Sequence, residues 1–239
     1  MIEAALPTTM IAERLAEVRV HIAAACRRVD RADDAVTLVA ASKGQPALAL
    51  RAAFAAGQRH FGENYADELK AKQEALGDLP IIWHFVGRVQ RGNARAIAGA
   101  QRIHGVGSTS QAEALHKAAS KLGRVLPVLL QVNLAGEDGK NGFTQSSLAS
   151  ELPALRALAG LSLGGLMAMP DVDDVRAAFA AVRALRDRLC PELPDLSMGM
   201  SSDYVVAVEE GATLVRVGTS IFGPRPAPAR DPILKEQEP

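Results

Sequence analysis

Lys43 closes the run Val36-Thr37-Leu38-Val39-Ala40-Ala41-Ser42, an apolar, β-branched stretch that ends in a primary amine. An amine emerging from an apolar wall is desolvated toward its neutral form, which is the form that attacks an aldehyde. Position alone also leaves open a solvated surface charge. Arg216 sits inside a second such run, Thr213-Leu214-Val215-Arg216-Val217, where an unpartnered cation would be costly to bury. It therefore needs an acceptor: a ligand's phosphate or ring nitrogen, or a core carboxylate such as Glu63 or Asp203. Two further segments, Gly199-Met200-Ser201-Ser202 and Gly218-Thr219-Ser220, combine glycines that expose backbone N–H groups with hydroxyl donors. Each alone reads equally as an ordinary turn. Together they suit a phosphate-bearing ligand.

These residues acquire a common address from the elements around them. An amphipathic helix over about 9–29, with Ile11, Leu15, Val18 and Ile22 recurring on one face, precedes the first strand. Short apolar runs then alternate with helical patterns, predicting strands near 36–41, 59–61, 81–86, 102–106, 126–133, 161–167, 196–198 and 214–217. Pro46 suits the first turn of the helix after the first strand. The face Val172, Val175, Phe179, Val182, Leu185 and Leu189 marks the clearest later helix. Strand then helix, eight times over, implies parallel pairing. Eight strands favour closure into a single (β/α)8 TIM barrel over an open doubly wound sheet. Sites on such a barrel form in the loops after the strands, and the loops after strands seven and eight often hold phosphate. Here those loops are the two Gly/Ser segments. Lys43 follows the first strand, Gly62-Glu63-Asn64 the second, Gly87 the third, Ser108 the fourth, Asn133 the fifth and Met169-Pro170 the sixth.

A chain of 239 residues fits one such domain, expected over 1–225, followed by a flexible Pro-rich tail over 226–239. Lys plus Arg and Asp plus Glu balance at 27 each, which gives no field to steer the chain toward nucleic acid or an anionic membrane. The start Met1-Ile2-Glu3-Ala4 lacks a basic segment, and no apolar run approaches a bilayer span, so a cytoplasmic location is expected. Cys26 and Cys190 have no metal or redox spacing around them and read as core thiols. His21, His60, His84, His104 and His116 show no paired metal spacing, and those in or beside strands read as hydrogen-bonded structural histidines; no metal is expected. Gly105-Val106-Gly107 lacks the third glycine of a dinucleotide fingerprint, and there is no Gly-x-Ser-x-Gly elbow.

Seven segments in chain order resemble the pyridoxal phosphate homeostasis family, whose fold is related to the N-terminal barrel of alanine racemases. They are Ala41-Ser42-Lys43, Phe61-Gly62-Glu63-Asn64-Tyr65, Trp83-His84-Phe85-Val86-Gly87, Val132-Asn133-Leu134, Gly165-Leu166-Met167-Ala168-Met169-Pro170, Leu196-Ser197-Met198-Gly199-Met200-Ser201, and Val215-Arg216-Val217-Gly218-Thr219-Ser220-Ile221-Phe222-Gly223. The resemblance implies a site for pyridoxal 5′-phosphate (PLP): Lys43 carries the Schiff base, Ser201, Gly218 and Thr219 bind the phosphate, and Asn64 and Arg216 lie against the cofactor. One departure stands in Gln90-Arg91-Gly92-Asn93, where the family pattern continues from Gln to Asn-Lys; Gly92 and Asn93 take those two places.

The implied activity is intracellular PLP homeostasis, with PLP held and released to PLP-dependent apo-enzymes. A low-activity PLP-dependent amino-acid racemase is the alternative. Racemisation needs bases on both faces of the substrate, and one lysine covers only one. In alanine racemases the second base is a Tyr from a C-terminal domain of the partner subunit, which this chain does not carry after its eighth strand; Tyr65 and Tyr204 are the tyrosines present. A carrier rather than an enzyme, and a monomer, is therefore expected. Lys140 beyond the fifth strand offers a second amine for handing the aldehyde on.

Overall fold

The computed structural model describes residues 8–134, 136, 140–170 and 172–224. The Pro-rich segment 226–239 and the first seven residues lie outside the described residues.

Helix α1 (Thr8–Arg28) opens the chain. Eight strands follow: β1 (Thr37–Ala41), β2 (His60–Glu63), β3 (Ile82–Phe85), β4 (Arg102–Val106), β5 (Leu126–Gln131), β6 (Leu161–Met167), β7 (Asp195–Ser197) and β8 (Leu214–Val217). Helices α2 (Ala47–Ala55), α3 (Ala66–Ala75), α4 (Ala94–Ile97), α5 (Thr109–Lys121), α6 (Gln145–Arg156), α7 (Val175–Leu189), α8 (Tyr204–Glu209) and α9 (Thr219–Phe222) alternate with them. The strands pair in parallel in chain order, and β1 returns to β8 through Thr37–Leu214 to Ala40–Val217, closing the barrel. A closed parallel sheet buries both faces of every strand, which is why the strand runs are so apolar.

Two packing layers result. Outside the sheet, Phe61, Phe85, Ile103 and Leu130 meet Leu50, Leu69, Ile97, Leu115, Leu148 and Phe179 from the helices. Inside it, Val39, Leu129, Met167 and Leu214 form a small apolar cluster. The rest of the interior is polar, with His84, His104, Ser197 and Arg216 all buried. The amphipathic face read from the sequence, Ile11 to Ile22, is buried where α1 packs against α2, α8 and α9. Arg31 ties the end of this segment to Val208 O (2.7 Å) and Ala212 O (2.8 Å).

Strand ends differ from the sequence reading where a polar residue finds a partner. β2 runs on through Gly62 and Glu63 because the Glu63 carboxylate is met by Lys72 and Ser42. β7 starts one residue earlier, at Asp195, whose carboxylate is held by Arg102 at 2.8 Å. β5 stops at Gln131, and Val132 makes only a single bridge to Phe143. α7 begins at Val175, leaving Val172 exposed on the approach. Cys26 and Cys190 are buried free thiols, and burial pushes the Cys190 thiol up to about 11. Among the described residues no group of three or more His, Cys, Asp and Glu side chains is placed to hold a metal ion, and no helix is long and apolar enough to cross a membrane.

Candidate active site

At the carboxyl ends of the strands a cleft of about 320 Å³ opens, and Lys43, Asn64, Ser201, Arg216, Gly218 and Thr219 all line it. They come from the segments after β1, β2 and β7 and from β8 and its loop, so the six residues singled out in sequence are brought to one place by closure of the barrel.

The turn carrying Lys43 is pinned from beneath. Ser42 N–H donates to Gly62 O (2.9 Å) and its hydroxyl donates to Glu63 Oε1 (2.6 Å). Lys72 Nζ on α3 donates to Ser42 O (2.8 Å), Glu63 Oε1 (2.7 Å) and Glu68 Oε2 (3.0 Å), while Gly44 N–H donates to Glu68 Oε2 (2.8 Å). The backbone on both sides of Lys43 is thus fixed by one buried ammonium and two carboxylates. Burial pushes the Glu63 carboxyl up, against the pull of Lys72 and Ser42, and its Oε2 is buried without a hydrogen-bond partner among the described residues. Lys43 itself is half-buried, and its Nζ stands 4.6 Å from the centre of the Tyr65 ring. A cation there gains modestly from the ring face.

Asn64 is seated by the β3 loop. A Cβ on Gly87 would come within 2.0 Å of Asn64 O, so only glycine lets the two loops touch. The β8 loop makes a similar approach to β1, where a Cβ on Gly218 would lie 2.9 Å from Ala41 O. Across the mouth, Ser201 Oγ accepts from Gly218 N–H (3.2 Å) and Ser220 N–H (3.5 Å). Two backbone donors and a hydroxyl therefore converge at the junction of the seventh and eighth loops. Met200 N–H closes the first of these loops on Asp203 Oδ1 at 2.6 Å.

Arg216 is only 4% exposed. One terminal nitrogen donates to Ser197 O (2.9 Å) and Ser197 Oγ (2.6 Å), the other to Ala168 O (3.1 Å). Burial lowers its pKa to about 10, so it stays cationic near neutrality. The sequence left Glu63 or Asp203 open as ion-pair partners. Neither forms an ion pair with it among the described residues: Glu63 is taken by Lys72, and Asp203, which accepts from Met200 N–H, acts on Arg216 only as a nearby charge that offsets part of the effect of burial. A guanidinium whose hydrogen bonds all go to neutral oxygens at the wall of a cleft, with a carboxylate only at a distance, favours an anionic or acceptor group there.

Several residues lie outside the cleft wall. Asn93 folds its side chain back on its own loop, accepting from Gln90 N–H (2.9 Å) and donating to Arg88 O (3.2 Å); a Cβ at Gly92 would meet open space. Lys140 lines an adjoining cavity of about 660 Å³ that shares Asn64, Val86 and Met169 with the cleft. Tyr204 is buried and hydrogen-bonded to His21 of α1 at 3.0 Å. The sequence reading missed Lys72 and Ser197. Lys72 had a signal in hindsight: it follows Glu68 by four residues and Leu69 by three, on the buried edge of α3.

A closed barrel that sets a primary amine, a buried guanidinium and paired Gly/Ser loops around one cleft defines a class: barrels built to receive a phosphorylated aldehyde. Comparison with known proteins narrows it. The family described as "Alanine racemase, N-terminal domain" matches residues 15–226. The pyridoxal phosphate homeostasis protein of Pseudomonas aeruginosa is 43% identical over 220 residues, covering 90% of this chain and 96% of that one. The Escherichia coli K12 protein of the same name is 37% identical over 228 residues, covering 90% and 97%. The structure of PipY from Synechococcus elongatus with PLP bound superposes with a TM-score of 0.79 at 41% identity, covering 89% of this chain and all (100%) of that one. An alanine racemase from Streptomyces lavendulae shares the fold alone, at 21% identity and a TM-score of 0.65, and this chain spans 58% of its length. The chain belongs to the alanine racemase N-terminal domain family and, within it, to the pyridoxal phosphate homeostasis proteins.

Proposed function

We propose that this chain holds PLP as a Schiff base on Lys43 and releases it to PLP-requiring apo-enzymes, acting as a cytoplasmic monomer in vitamin B6 homeostasis. One observation carries the reading: the amine of Lys43, the buried cation of Arg216 and the Ser201–Gly218 junction share a single cleft. When bound, the cofactor supplies an aldehyde for an amine to condense with and a phosphate for fixed donors to hold. Ser201, Gly218 and Thr219 hold that phosphate, on the two loops where barrels commonly bind it: the hydroxyls of Ser201 and Thr219 are the donors, and the Gly218 N–H fixes Ser201 Oγ at the junction. Arg216 offers its charge to the ring or to the phosphate, and Asn64 flanks the ring. Lys43 presents its amine from a turn whose backbone Lys72 and Glu63 fix, which limits the motion needed to meet the aldehyde.

A racemase reading gains nothing from the geometry: Tyr65 stands on the Lys43 side, and Tyr204 is bound to His21 away from the cleft wall. The test loads the purified chain with PLP, mixes it with a PLP-requiring apo-enzyme and follows recovery of that enzyme's activity, while a panel of L-amino acids is assayed for D forms. Transfer without D product is expected. Steady D-amino acid production, or no PLP uptake, would overturn the reading.

A further inference from the structure

Four polar side chains with no part in the proposed chemistry, three of them buried and one half-buried, form a line across the barrel interior and end on Arg216. His60 Nδ1 is 3.0 Å from His84 Nε2; His84 Nδ1 is 2.8 Å from His104 Nε2; His104 Nδ1 is 2.8 Å from Ser197 Oγ; and Arg216 donates to that oxygen at 2.6 Å. The line climbs β2, β3 and β4 and then crosses to β7 and β8. His104 and Ser197 are fully buried, His84 is 3% exposed, and His60, the first residue of β2, is half-buried.

Each link needs one donor and one acceptor, and arginine sets the direction. A guanidinium has donors only, so Ser197 Oγ accepts from Arg216. The hydroxyl's own proton then has His104 Nδ1 as its acceptor. A His104 accepting at Nδ1 and remaining neutral carries its proton on Nε2 and donates to His84 Nδ1. The same step repeats to His60. In the opposite direction, His104 would donate to Ser197 Oγ and leave the hydroxyl proton buried without a partner, which is unfavourable. Burial and the neighbouring imidazole and guanidinium charges hold His84, down to about 3, and His104 in the neutral state the chain requires.

We infer that Ser197, His104, His84 and His60 are positioning residues for Arg216: a one-way hydrogen-bonded chain, with all three imidazoles protonated on Nε2, that locks the guanidinium at the cleft wall. Its relevance to the cofactor rests on the proposed PLP site; the chain itself does not. Ser197 meets Arg216 twice, through its carbonyl and its hydroxyl, so the strand position and the hydroxyl direction are both transmitted.

The test has a ligand-free part and a loaded part. In the free protein, ¹⁵N NMR of the imidazoles is expected to show the Nε2–H tautomer for His60, His84 and His104, and the Arg216 guanidinium nitrogens are expected to rotate slowly. Ser197→Ala should release that rotation, and His104→Asn, which keeps an acceptor where Nδ1 stood, should retain it. An Nδ1–H or charged form at any of the three, or an Arg216 equally hindered in Ser197→Ala, would overturn the inference. With PLP, Ser197→Ala is expected to weaken binding about tenfold and shift the visible band, with His104→Asn closer to wild type; unchanged affinity and band would overturn it too. If wild type takes up no PLP while Arg216 is ordered as described, only the proposed function falls. If Ser197→Ala does not fold, the wild-type tautomers alone decide.

Discussion

The turn that carries Lys43 is held in place by a second lysine, Lys72. Lys72 is 8% exposed and Glu63 is fully buried, and their charged ends meet at 2.7 Å beside the Ser42 carbonyl. Removing one member of a buried pair strands the other charge, so Lys72→Met should lower unfolding free energy by roughly 3 kcal/mol in urea titrations and loosen the Lys43 turn. Adding Glu63→Gln should recover part of the loss. A single variant as stable as wild type would show that the pair holds nothing. The contrast between the lysines also marks what was readable in the sequence. Lys43 and Arg216 stood out because each interrupts an apolar run at a place where a charge needs a reason. Lys72 sits in a helix of ordinary polar composition, Ala66–Ala75, and only the fold reveals that its face points at Glu63.

The eight strands and the leading helix were legible because apolar runs and helical periods survive in the sequence of a closed parallel barrel. Their ends were less so, since β2 and β7 carry Glu63 and Asp195, whose partners on α3 and β4 come from elsewhere in the chain. The loops that make the site depend on near contacts no periodicity encodes. Gly87→Ala is the sharpest case: a Cβ placed 2.0 Å from Asn64 O must push the β2 and β3 loops apart. An overpacking cost of about 2 kcal/mol is expected in the same urea assay, with weaker PLP binding as Asn64 shifts. Gly92→Ala, where a Cβ would meet open space, should change stability by no more than about 0.5 kcal/mol. Equal effects of the two would contradict the packing described.

A barrel whose interior is lined by neutral imidazoles is sensitive to acid as a whole. The folded pKa values of His84 and His104 lie below the ordinary value of 6.5, that of His84 at about 3, so below pH 6.5 the unfolded chain binds more protons. Stability therefore falls as pH drops, by about 1.4 kcal/mol per pH unit for each of the two. The fall should be visible in urea midpoints between pH 6 and pH 5 in Glu63→Gln, which removes the carboxyl that burial pushes up toward this range, and a flat midpoint there would mean the imidazoles are solvated. The same closed architecture gathers Lys43, Arg216 and the Gly/Ser loops into one cleft, where a single amine is proposed to capture PLP. The direct measurement is borohydride reduction of the protein incubated with PLP, followed by mass-spectrometric mapping of the modified peptides in wild type and Lys43→Ala. One phosphopyridoxyl group is expected on Lys43 in the wild type and none in the variant; label on a different lysine in the wild type, or no label, would overturn the Schiff base at Lys43.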